Sequence, residues 1–300
     1  MSNSLLAAAL GFGPDVRIVI PHQDDVGMCH GSNQAFLALA RDGFVSCGSV
    51  MVPCPWFPEI ADAAADDPAL DLGIHLTLTS EWPNYRWHPI STTSPNSGLI
   101  DPDGYMWRRV ALLREHVVPE AAEAEMRMQI ERALAAGLDP THLDTHMGAA
   151  LAPELLPIYL RLGREYRLPV LLPRRISSYL EMLPLGPVDT GLFDAAIGEL
   201  DRAGIPLVDD FRMTPGVDSD VMPATYRAII SGLSPGVTFF ALHCNAPGDI
   251  ESIVPPRAHW RTDEYRLFRG NEFNEWTAIQ GVHPIGFRPI RELLRQARTE

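Results

Sequence analysis

Lysine is absent from the 300 residues, so all 24 Lys+Arg positions are arginine. Without a lysine amine the chain forms no Schiff base, holds no pyridoxal phosphate covalently and places no P-loop lysine on nucleotide phosphates. Arginine stays protonated and shuttles protons poorly. Electrophilic help must therefore come from arginine, histidine, backbone amides or a metal. GC-rich coding also produces all-arginine compositions, but the chemical exclusion holds for either origin.

Cysteine is scarce as well. Cys29, Cys47, Cys54 and Cys244 make no CxxC pair and no dense framework. That points to a reducing compartment, with cysteines acting as small core residues. No run approaches the roughly 18 apolar residues of a membrane span. The apolar run 5–10 has no basic flank and reads as a helical turn before the first strand, not a signal peptide. The expectation is a cytoplasmic protein. Positive charge is outnumbered, with 38 Asp+Glu giving a net −14. This argues against nucleic acid or an anionic membrane as the main partner.

What is present describes an ordinary soluble enzyme, with 46% hydrophobic and 21% charged residues. A chain of this length buries roughly three quarters of its unfolded surface, ample for one large core. Short β-branched runs alternate with helical patterns, the signature of βαβ units and a parallel sheet. Strands are expected at 16–22, 44–52, 71–79, 141–146, 169–172, 206–209 and 236–243. Helices are clearest at 32–41, 119–136, 153–167, 188–203, 226–233 and 290–297. The fold class expected is α/β, with one domain over 1–300. Segment 81–109 breaks the alternation and carries Trp82, Tyr85, Trp87, Tyr105 and Trp107. An aromatic-rich loop of this length suits a sugar ring, or is an excursion packed on its own aromatics.

Four polar clusters stand at the C-terminal ends of apolar strands: His22-Gln23-Asp24-Asp25, His75, His142-Leu143-Asp144-Thr145-His146, and His243. In α/β barrels such strand ends converge on one site. A carboxylate and two imidazoles form a plausible divalent-metal ligand set with positions left for water and substrate. Asp24 and Asp25 are adjacent, so one can bind metal while the other faces substrate as a base. Plain structural alternatives exist for each: a helix N-cap pair for Asp24-Asp25, a satisfied core histidine for His75, a turn cap for His146. Asp144 is either an acceptor that orients a ligand imidazole or a turn cap. Arg174 and Arg175 read as a solvated pair or as substrate contacts, and Asp209-Asp210 as further lining of the site.

The stretch Ile18-Val19-Ile20-Pro21-His22-Gln23-Asp24-Asp25-Val26-Gly27-Met28, with Asn33, resembles the strand-Ala-Asp-Asp-Phe-Gly opening of the YdjC-like carbohydrate deacetylases. Gly73-Ile74-His75-Leu76-Thr77-Leu78 is similar to that family's Gly-Leu-His-Leu segment, and His142–His146 to its His-x-Asp-Ser-His segment. The late strand ending at His243 resembles its His-Pro-Gly strand, but three residues, Cys244-Asn245-Ala246, separate His243 from Pro247-Gly248. The resemblance implies a distorted TIM-like (β/α) barrel of mostly parallel strands. It implies that Asp25, His75 and His146 hold a divalent metal ion, that Asp24 is the general base and that His243 is the general acid. The substrate implied is a small N-acetylated amino sugar or oligosaccharide, hydrolysed at its amide. Zinc and magnesium lead as cofactors, since an Asp-His-His set is borderline between zinc and harder ions. A homo-oligomer is left open. Competing readings are a metal-dependent amidase or esterase on a non-sugar acyl group, and a sugar-binding barrel without catalysis. An aldose isomerase is disfavoured by the missing lysine.

Overall fold

The computed structural model describes residues 4–296. Seven strands form one parallel sheet: β1 (Arg17–Val26), β2 (Cys47–Val50), β3 (Leu72–Leu76), β4 (Leu143–Thr145), β5 (Asp210–Met213), β6 (Gly236–Leu242) and β7 (Val282–Pro284). Their order is β4-β3-β2-β1-β6-β5, with β7 beside β1. Every pairing is parallel. Helices cover the sheet, so β1 and β6 are buried throughout their centres and read as continuous apolar runs.

The sheet curls into a distorted barrel. Its two outer strands, β4 and β5, are joined by the irregular segment 169–175. Leu143 N donates to Pro169 O and Leu171 N to Leu143 O, each at 2.8 Å. On the other side Arg174 N donates to Val208 O and Arg175 N to Asp209 O, each at 3.0 Å. The strand expected at 169–172 is thus a single bridge, Leu143 with Val170. Pro169 and Pro173 bracket it and supply no N–H to a ladder. A second distortion sits at β1, whose one edge serves two neighbours. Residues Arg17–Val19 pair with β7, while His22–Val26 pair with β2.

Several expected boundaries shift. The strand expected at 206–209 lies at Asp210–Met213, and β7 was not anticipated because it is only three residues long. The first apolar run forms a short helix, Leu5–Ala9. The helix expected at 119–136 spans Pro119–Ala135, opens with proline and Glu120, and stops where Gly137 takes a φ of 91°. The final helix covers Arg288–Gln296; the expected end at Ala297 lies outside the described residues. Helices Phe57–Asp66, Val110–His116, Ile176–Met182, Ala258–Phe268 and Glu272–Ile279 were not expected from periodicity. No described helix is long and apolar enough to cross a membrane.

Candidate active site

The C-terminal ends of β1, β3, β4 and β6 open into a cavity of about 1010 Å³. Asp24, Asp25, His75, His146 and His243 all line it, so residues up to 219 positions apart in the chain meet there (24 to 243). β1 delivers the two aspartates through an irregularity. Its register against β2 shifts between Gln23 and Val26, and Asp25 adopts a left-handed φ of 61°. A bulge of this kind re-aims side chains at the rim of a barrel. Gly27 follows at φ 85°, with its N–H donated to Asn33 Oδ1 at 2.7 Å.

Asp25 is the centre of the first group. Its Oδ1 stands 3.2 Å from His146 Nδ1 and 3.6 Å from His75 Nε2. Its Oδ2 accepts a hydrogen bond from Arg261 Nη1 at 2.8 Å. Burial by itself would push this carboxyl up, but Arg261 and His146 overcome it and hold the group well below the ordinary carboxylate range. Asp25 Oδ1 is buried, with no backbone or hydroxyl donor and only the imidazole nitrogens beside it. A buried carboxylate oxygen in that position is served either by a protonated His146 or by a cation. Ligand atoms on one ion with bonds of about 2.1 Å stand roughly 3.0–3.5 Å apart, close to the 3.2 and 3.6 Å that separate Asp25 Oδ1 from the two imidazole nitrogens. The donor set therefore fits a divalent ion held by Asp25, His75 and His146, one of three groups of described residues close enough for an ion.

Each imidazole is held from its far side. His75 lies opposite Asp144 in the β3–β4 register, and its Nδ1 is 3.0 Å from Asp144 Oδ1 and 3.0 Å from Ser49 Oγ. Ser49 also donates to Asp144 Oδ2 at 2.8 Å. His75 thus spends its Nδ1–H on Asp144 and keeps a bare Nε2 towards Asp25. Burial opposes protonation of this ring, but Asp144 outweighs it and raises the His75 pKa. His146 is turned the other way. Its Nε2 meets Glu81 Oε2 at 3.0 Å, leaving Nδ1 for Asp25. The turn after β4 makes this possible, since Met147 and Gly148 are both left-handed at φ 54° and 68°. Against the cost of burial, Glu81 and then Asp25 push the His146 pKa up to about 10. A carboxylate behind a ligand imidazole fixes its tautomer and orientation.

Asp24 points elsewhere. Its Oδ1 takes a hydrogen bond from His22 Nδ1 at 2.7 Å, and its Oδ2 lies 3.9 Å from His243 Nε2. His243 follows β6, beside the β1 end because Gln23 pairs with Leu242. Its backbone N–H is donated to Glu264 Oε2 at 2.8 Å, and its Nδ1 is 2.8 Å from Thr214 Oγ1. The residues inserted after it fold away from the cavity. Asn245 is fully buried, donates to Cys29 Sγ at 3.3 Å, and its N–H reaches Arg261 O at 3.0 Å. The insertion thereby anchors the helix that carries Arg261 and leaves His243 beside Asp24.

The aromatic segment does two jobs. Trp87 is buried, with Nε1 donated to Thr79 O at 2.9 Å, and Tyr85 donates to Met28 O at 2.6 Å. Trp82 and Trp107 line the cavity, as does Trp260 from the helix Ala258–Phe268. Other expectations do not reach the site. Arg174 pairs with Asp201, and Arg175 with Asp210 at 3.1 Å. Asp209 accepts from Val237 N at 2.8 Å, and Arg174, Arg175, Asp209 and Asp210 all stay outside the cavity lining. Sequence reasoning assigned no role to Glu81, Arg261, Ser49 or Thr214. Glu81 had one signal, an acid just past the β3 strand at the start of the aromatic segment. Arg261 had none.

A buried Asp-His-His group with a free Asp-His pair, at the strand ends of a distorted parallel barrel, defines an α/β barrel built around a candidate metal centre. The chain belongs to the YdjC-like protein family, which matches residues 18–278. It is 32% identical over 289 residues to a carbohydrate deacetylase of Thermus thermophilus, covering 96% of this chain and 99% of that one. It is 28% identical over 184 residues to a chitooligosaccharide deacetylase of Yersinia enterocolitica, covering 60% and 68% of the two chains. In fold it is similar to the crystal structure of a candidate cellobiose-phosphate cleavage protein of Enterococcus faecalis. That match has a TM-score of 0.71 at 20% identity, over 91% of this chain and 98% of the other.

Proposed function

We propose that this protein is a carbohydrate deacetylase that removes the acetyl group from an N-acetylated amino sugar with the help of a divalent metal ion. The observation that carries this is the division of labour between two adjacent aspartates. Asp25 Oδ1 stands beside His75 and His146, while Asp24 Oδ2 stands beside His243. The deacetylase names of full-length relatives support the same reading.

A divalent ion held by Asp25, His75 and His146 would supply Lewis-acid polarisation of the acetyl carbonyl and a water of lowered pKa. The chain's own residues do the rest. Asp24 Oδ2 accepts the proton of the attacking water. His243 Nε2 delivers a proton to the departing amine nitrogen, which is a very poor leaving group as an anion. Asp24 Oδ2 and His243 Nε2, 3.9 Å apart at the cavity wall, can both reach the same end of the scissile amide. Arg261, bound to Asp25, holds the ligand carboxylate from behind. The indoles of Trp82, Trp107 and Trp260 offer flat apolar faces to the C–H side of a sugar ring.

The test is acetate release from a panel of N-acetylated sugars and, in parallel, N-acetylated amino acids and acetate esters, with added Zn²⁺, Mg²⁺, Mn²⁺ or Co²⁺. Release from sugars alone is expected. Release only from the non-sugar compounds would replace the substrate class while keeping the hydrolytic chemistry.

A further inference from the structure

Behind Asp24 runs a chain of buried polar groups that the reaction above does not use. His22 Nδ1 is 2.7 Å from Asp24 Oδ1, His22 Nε2 is 2.9 Å from His142 Nε2, and His142 Nδ1 is 3.0 Å from Thr141 Oγ1. Both imidazoles are wholly buried, and neither lines the cavity. His22 rests on Phe239 and His142 stacks on Phe287, with ring centroids 4.6 and 4.0 Å apart. These apolar faces offer the ring nitrogens no other partner.

Counting protons assigns the chain. One hydrogen fits between two nitrogens 2.9 Å apart. The Asp24 carboxylate accepts, so His22 carries hydrogen on Nδ1. The hydrogen between the rings lies on one of the two Nε2 atoms, and His142 Nδ1 lies against the Thr141 hydroxyl, which also reaches Asp71. Burial holds His142 well below the ordinary imidazole range, in keeping with a neutral His142 ring.

His22, His142 and Asp144 are also close enough to be weighed as a second ion site. The two nitrogens already share a hydrogen bond with no space between the rings. Asp144 is engaged with His75 and Ser49, and its Oδ2 is 3.8 Å from His22 Nε2. A hydrogen-bonded pair accounts for every contact there.

We infer that His22, locked in place by His142, is a positioning residue for Asp24. It occupies Oδ1 and so selects Oδ2 as the oxygen that faces His243 and the reacting water. A carboxylate on a free torsion exchanges its two oxygens; an imidazole N–H fixed by a second buried ring removes that freedom. The inference rests on the assignment of Asp24 as the base.

The test compares His22→Phe with His22→Asn, whose amide N–H can replace the Nδ1–H donor. His22→Phe is expected to lower kcat about 10- to 100-fold, with KM and bound metal unchanged. His22→Asn is expected to recover most of that loss. A wild-type kcat in His22→Phe, or His22→Asn no better than His22→Phe, overturns the inference. Should His22→Phe fail to fold, His142→Phe takes its place: it leaves the donor on Asp24 but unlocked, and a kcat equal to wild type counts against the pair. A second readout needs no turnover. Proton NMR of the wild-type protein should show an exchange-protected imidazole N–H that Asp24→Ala abolishes, and its persistence in that variant contradicts the pairing. Absence of acetate release from every sugar, with this resonance intact, would instead sink the reaction assignment.

Discussion

Asp24 and Asp25 are neighbours in sequence yet take different partners at the cavity wall. Asp25, at φ 61°, turns to His146, His75 and Arg261, while Asp24 turns to His22 and His243. The bulge in β1 separates two carboxylates that would otherwise repel, and it gives each its own partners.

That separation predicts distinct phenotypes. Asp25→Ala, His75→Ala and His146→Ala should each lose bound metal by elemental analysis. Full retention in all three would remove the ligand assignment.

Asp24→Asn should keep its metal and its fold while kcat falls about 10²- to 10⁴-fold, the usual contribution of a positioned base. A rate near wild type would mean that another group, or none, takes the water proton. His243→Ala should slow amide substrates more than esters, whose leaving groups need less protonation. Equal losses on both would strip His243 of its role.

If His146 is a ligand, metal uptake should be pH-dependent. Its pKa rises from an ordinary 6.5 to about 10 in the ion-free fold. The stabilisation from its paired carboxylates is therefore complete below about pH 6.5 and is lost as pH climbs through about 10. At neutral pH an arriving cation must displace this proton. Calorimetry of Zn²⁺ binding in two buffers of different ionisation heat should show release of about one proton or more per ion. Glu81→Gln should reduce that release. Binding without proton release would contradict the arrangement.

Arg261→Met should leave Asp25 Oδ2 buried without its donor. Breaking a buried pair from one side costs about 3–5 kcal/mol, so the ion-free variant should melt well below wild type. Added Zn²⁺ should restore part of the difference by binding the folded state. An unchanged melting temperature would show that the pair contributes nothing to stability.

The parallel α/β architecture was legible because buried strands and amphipathic helices write their periods directly into the chain. That Asp24, Asp25, His75, His146 and His243 converge on one cavity was legible too, since polar side chains at the ends of apolar strands have few structural reasons to be there. The segment expected as a strand at 169–172 makes only a single bridge, because the two prolines that bracket its apolar run break the ladder. The strand expected at 206–209 was placed early because apolar content marks the approach to β5, whereas its ladder begins at Asp210.

By itself the sequence determined the fold class, the family resemblance and which side chains could carry chemistry, including the exclusion of lysine. Only the tertiary structure decided how they act: that His75 offers Nε2 and His146 offers Nδ1, that Glu81 stands behind one and Asp144 behind the other. It also brought Arg261 to Asp25 across 236 residues, and His142 to His22 across 120. The reason is physical. Local patterns record which face of an element is buried, but which nitrogen points at which oxygen is fixed only when distant elements pack together.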